Sequence, residues 1–193
     1  MLSKDLVTEK KEKMEFQPIP EDVYQVELFD ITDRRVPQYK DKTQTETILD
    51  FQFVLLEGIR QDLSKLRGIS IPRNFVPNYF YEGKNGKNVT MQIAEAITGR
   101  QLSDEEYAMW GTTAWENCIG KQLRIVTVNN TKDDKTYSNI KTFLPIKNEM
   151  EGLTKDERNK AEEYAEKQKE RNEKKSEETD SVAEEINIDD VKL

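Results

Sequence analysis

The chain has 193 residues, 35 % hydrophobic and 35 % charged, with a net charge of −8, one cysteine and no histidine; this suits one domain plus solvated appendages and is too polar for a core using every residue. The missing imidazole excludes Ser-His-Asp and Cys-His nucleophile systems, and the lone Cys118 excludes an internal disulfide or a zinc site built from several Cys or His ligands. No stretch approaches the roughly 20 apolar residues of a spanning helix, so we expect a non-enzymatic protein with no catalytic residue, metal, cofactor or membrane contact.

Residues 1–15 read as a flexible charged arm. The arm lacks the apolar core of a signal peptide, which leads us to expect a cytoplasmic protein. From Phe16 the texture changes, and Val23 to Ile31 reads as a β-branched and aromatic strand. A polar connection, Asp33 to Glu46, precedes a clearer strand, Thr47 to Leu56, with Leu49, Phe51, Phe53 and Leu55 on one face. Leu66 to Phe75 is expected as a third strand. It runs into an aromatic segment and then the turn Glu82 to Lys87, whose Asn85-Gly86 pair tolerates positive φ.

A helical insert is expected next. Val89 to Thr98 carries Ile93 and Ile97 four apart, with Gly99 at the C-terminal cap position. Ser103-Asp104-Glu105-Glu106 is a capping box opening a second helix, which carries Tyr107, Trp110 and Trp115 and which Gly111 is placed to divide. Two strands follow, around Leu123 to Val128 and Thr136 to Ile146, joined by the loop Asn129 to Lys135. Five strands with a helical insert before the fourth suit an OB-like five-stranded barrel occupying residues 16–147.

Beyond Lys147 the apolar core is expected to end. Residues 148–193 hold 9 Lys/Arg against 16 Asp/Glu, so most of the chain's acidity lies there. Residues 148–176 read as a charged helix or linker without an apolar stripe, and 177–193 as a disordered acidic tail.

Three groups mix cations with flat rings: Arg34, Arg35, Tyr39, Lys40 and Lys42; Arg73, Phe75, Tyr79, Tyr81, Lys84 and Lys87; and Lys132, Lys135, Tyr137 and Lys141. Single-strand binding uses both components, because cations neutralise phosphates and rings stack on unpaired bases. At the end of the chain, Ile188, Asp189, Asp190, Val191 and Leu193 put aliphatic groups beside carboxylates. Such a tip fits an apolar pocket with a basic rim on a partner. Gly83-Lys84-Asn85-Gly86-Lys87 is a turn and not a P-loop, because Asn88 follows the lysine where Ser or Thr is required.

Taken in order, Tyr24-x-Val26, Leu49-Asp50-Phe51-Gln52-Phe53-Val54-x-x-Glu57-Gly58, Ala94-Glu95-Ala96-Ile97-Thr98-Gly99, Ile119-Gly120-Lys121-Gln122-Leu123-Arg124-Ile125 and Tyr137-Ser138-Asn139-Ile140 resemble the phage-encoded OB-fold single-stranded DNA-binding proteins over residues 16–147. The tail is similar to those of bacterial single-stranded DNA-binding proteins, with Lys192 standing where their tips have Pro and Leu193 where they have Phe. The resemblance implies a protein that coats and protects single-stranded DNA in replication or recombination, inside a bacterial host cell. It also implies that the acidic tail recruits replication or recombination proteins or regulates the domain. The rival reading is a protein-interaction or phage assembly module with a β-rich binding domain.

Overall fold

A computed structural model describes residues 18–38, 41–58, 66–132 and 135–184, with side chains up to residue 170. The expected arm, 1–15, lies outside the described residues. Five long strands form one antiparallel sheet: β1 (Val23–Pro37), β2 (Thr45–Gly58), β3 (Ser70–Pro77), β6 (Gln122–Lys132) and β7 (Lys135–Leu144). Between the third and fourth of these lie a small two-stranded hairpin, β4 (Glu82–Gly83) with β5 (Gly86–Lys87), and three helices, α1 (Val89–Thr98), α2 (Asp104–Ala108) and α3 (Thr112–Glu116).

The sheet order is β3-β2-β1-β6-β7, so β1 is central and pairs with β2 on one side and β6 on the other. Among the described residues β3 and β7 do not pair, and the sheet is open between them. A flat sheet of five strands would hold its edges about 19 Å apart. Helix α1, about 15 Å long, touches both of these edge strands.

The inner face follows the strand period of two. Tyr24, Val26 and Leu28 of β1, Leu49, Phe51, Phe53 and Leu55 of β2, and Leu123 and Ile125 of β6 are buried together with Ile93 and Ala94 of α1. The first helix starts at the Asn88 cap, whose side chain accepts the Met91 N–H, and ends at Gly99 in the left-handed region at φ 74°. The Ser103–Glu106 capping box opens α2, and Gly111 separates α2 from α3 as the N-cap of the latter.

Three expectations change. The connection expected from Asp33 to Glu46 is half strand: Arg34, Arg35 and Val36 pair with Ile48, Thr47 and Glu46, β1 runs to Pro37 and β2 begins at Thr45. Nor does the core end at Lys147. A final helix, α4 (Lys155–Glu184), leaves from a segment laid on the outer face of the sheet, where Leu153 and Ala161 pack against Val54 and Leu56 with Phe29 and Met150 beside them. The helix also continues past Ser176, where the charged linker was expected to give way to tail.

The outer face is held by an unusual set of bonds. It buries Gln25, Glu27, Gln52, Ser70 and Gln122. Gln25 donates to the Asn148 carbonyl (2.9 Å), Gln122 to that of Met150 (2.7 Å), and Gln52 to that of Ala161 (2.9 Å). Arg67 donates to the Gly152 carbonyl at 2.7 Å and pairs with Glu157 at 2.8 Å. The Arg158 guanidinium lies 2.8 Å from the buried Glu27 carboxylate. Buried amides need partners, and here the covering segment's main chain supplies them. Among the described residues no helix is long and apolar enough to cross a membrane.

Candidate nucleic-acid interface

The aromatic segment between β3 and α1 is anchored at its middle. Phe80 sits among Tyr107 (ring centroids 4.7 Å), Trp110 (6.2 Å) and Trp115 (6.3 Å), and Trp115 in turn meets Phe51 of the sheet at 5.3 Å. The backbone around Phe80 is tied to the start of α1. Thr90 donates to the Pro77 carbonyl (2.5 Å), the Asn88 side chain to that of Tyr79 (2.7 Å), and the Asn88 N–H to that of Tyr81 (2.9 Å). Tyr79 and Tyr81 flank the anchored ring and are exposed. A β-carbon at Gly83 would lie 2.7 Å from the Tyr81 ring, so that ring rests over a hairpin position with no side chain to obstruct it.

Phe75 is presented differently. It is the one non-glycine residue with positive φ among those described, at 60°, a conformation that costs about 1–3 kcal/mol for a bulky side chain. Asp50, buried on β2, compensates by accepting the Phe75 N–H at 2.8 Å and the Arg34 Nε–H at 2.6 Å. The Arg34 guanidinium then lies 4.3 Å from the centre of the Phe75 ring, a cation–π arrangement. Arg34, Arg35, Asp50, Asn74 and Phe75 share a cleft of about 850 Å³ whose other wall is the Tyr164–Lys169 stretch of α4. Asp30, Asp33 and Glu166 also line it, so the cleft is mixed in charge.

Four of the rings singled out from sequence are exposed: Phe75 (66 %), Tyr79 (56 %), Tyr81 (61 %) and Tyr137 (48 %). By contrast Tyr24, Phe51, Phe53, Tyr107, Trp115 and Phe143 are core. Of the cations, Arg35, Lys42, Lys84, Lys132, Lys135 and Lys141 are exposed. Lys87 is held in an ion pair with Glu95 at 2.6 Å, and Arg73 is half-buried. The structure gathers Arg34, Arg35 and Phe75 in one cleft, and Tyr79, Tyr81 and Lys84 along one segment. Lys132, Lys135, Tyr137 and Lys141 belong to the β6–β7 hairpin, at the other end of the strand order from Arg73 and Phe75. Tyr39 and Lys40 lie outside the described residues, as do Ile188, Asp189, Asp190, Val191 and Leu193.

Sequence reasoning missed Asp50 as an organiser of the cleft. The available signal was a carboxylate on the outward face of a strand otherwise rich in apolar residues.

Glu95 of α1 ties the hairpin to the helices, since it takes both Lys87 and, at 3.2 Å, the Leu102 N–H. Burial pushes its carboxyl up, but the bonds from Lys87 and Leu102 oppose that, and the carboxyl is held below the ordinary range. A carboxyl depressed in the folded state stabilises fully above its unfolded pKa and loses that contribution as pH falls through the folded value. Glu95→Gln should therefore lower stability by about 1–3 kcal/mol at pH 7. Melting curves of the two proteins should converge as pH falls below the ordinary carboxylate range, and a pH-independent gap would show that the charge is irrelevant. No protein-family model and no curated protein matches the chain.

Proposed function

We propose that this chain binds single-stranded DNA, coating and protecting it in phage-type replication or recombination within a bacterial host cell. The observation that carries the reading is the exposure of Phe75, Tyr79, Tyr81 and Tyr137 in a fold that buries Tyr24, Phe51, Phe53, Tyr107, Trp115 and Phe143. Exposed rings would serve as stacking platforms, and the exposed Arg35, Lys84 and Lys135 would meet phosphates. The strand order, with helices inserted before β6, supports an OB-like barrel that remains partly open between β3 and β7. The acidic end of the chain would recruit replication or recombination proteins, or regulate the domain.

Fluorescence anisotropy with labelled oligo-dT, a matched duplex and a matched RNA tests the reading. Single strands should bind more tightly than duplex. Log affinity should fall linearly with log salt, with a slope of about −0.7 per phosphate contact. Equal or tighter duplex binding defeats the proposal.

One observation favours the rival, a protein-interaction or assembly module. Among the described residues β3 and β7 each have a sheet partner on one side only, and such edges accept a strand from another chain. Salt-insensitive capture of a protein, without oligonucleotide binding, would support that reading.

A further inference from the structure

We propose that the cleft between the outer sheet face and α4 is a subsite for one unpaired nucleobase of a bound strand, with Phe75 as its stacking surface and Asp50 as the residue that positions it. This rests on the single-strand reading above and locates its most specific contact.

Three features converge there. First, a strained backbone holds an apolar ring largely out in solvent, where it gains little burial from folding. A glycine would occupy the same φ without strain, so the ring's presence is not explained by the turn it makes. Second, the ring is pre-oriented. Asp50 ties down both the Phe75 N–H and the Arg34 guanidinium that covers the ring, so little freedom remains to be lost when a ligand stacks. Third, the cleft's volume of about 850 Å³ falls in the range of small-ligand sites, ample for a base. Its mixed charge suits a neutral heterocycle better than a phosphate. Arg35, exposed on the same wall, is placed for the phosphate of the same nucleotide.

The decisive variant is Phe75→Gly. It removes the ring and relieves the backbone, so its melting temperature should equal or exceed that of the parent. Its affinity for oligo-dT should fall about 5- to 150-fold. Phe75→Trp should retain binding. Asp50→Asn, which leaves one side-chain oxygen to accept where two accept now, should weaken binding less than Phe75→Gly does. An oligonucleotide carrying a single 2-aminopurine should show stacking-dependent quenching with the parent protein and lose it with Phe75→Gly.

Parent protein that binds oligo-dT while Phe75→Gly binds equally well overturns the subsite and leaves the single-strand reading standing. Parent protein that binds no strand removes both. A third arm uses dTMP. If dTMP alone binds with an affinity near that of the oligonucleotide and depends on Phe75, the cleft serves a free nucleotide, and delivery by a strand is refuted.

Discussion

A chain cut after Lys147 should be less stable than the full chain by about 3–6 kcal/mol. The cut strips the cover from Val54 and Leu56, both fully buried, and removes Leu153 and Ala161 from the same cluster. Re-exposing a Val or Leu side chain costs about 1.5–3 kcal/mol each. The amides Gln25, Gln52 and Gln122 would exchange main-chain carbonyls for water at little net cost. Glu27 would be rehydrated, so its charge adds nothing to the loss. Against a total of about 5–15 kcal/mol for a domain, this is a large fraction, and the melting temperature should fall by roughly 10–20 °C. A chain cut after Lys169 keeps Leu153, Ala161 and the Arg158–Glu27 contact and should stay within about 1 kcal/mol of the parent. Urea titrations of the three chains provide the check. Equal midpoints for the parent and the shortest chain would mean that the C-terminal segment rests on the sheet without stabilising it.

Trp115→Ala should cost a comparable amount, about 3–5 kcal/mol, through the cavity it leaves. Trp115 joins two halves of the molecule: its ring meets Phe51 of the sheet at 5.3 Å and Trp110 and Phe80 of the insert at 5.4 and 6.3 Å. The loss should reach the binding surface as well. Phe80 is the partly buried anchor between two exposed tyrosines, and loosening it frees Tyr79 and Tyr81 from a common orientation. Circular dichroism melts report the first effect, and oligo-dT affinity, measured below the transition, reports the second. A variant as stable as the parent would place the Phe80 cluster outside the cooperative core.

How much of this could be read from the residues depended on whether apolar periodicity carried the information. The alternation Leu49, Phe51, Phe53, Leu55 marks the buried face of β2, and the Asn88 and Gly99 caps bracket α1. The strand residues 33–37 and 45–46 were hidden because that end of the hairpin is largely solvated, and a strand with no buried face leaves no period-two signal. The seating of α4 was hidden for a related reason. Its attachment uses carbonyls of residues 148, 150 and 161, and a main-chain acceptor looks the same under any side chain. The rings Phe75, Tyr79 and Tyr81 stood out as aromatic, but their exposure and the bonds that Asp50 makes to Phe75 and Arg34 come from tertiary arrangement.

The glutamine grip on the C-terminal segment bears on how this chain can diverge. A sheet that recognises carbonyls sets few demands on the composition of what it holds. Most positions of the covering segment are therefore open to drift in charge and polarity, provided the carbonyls arrive at the same spacing. The exceptions are specific. Ala161 has no room for a larger side chain, and a β-carbon at Gly152 would lie 3.3 Å from the Glu27 carboxylate. Distant relatives could thus keep the sheet and its three amides while carrying unrelated C-terminal helices, each seated by the same bonds and each presenting a different outer surface.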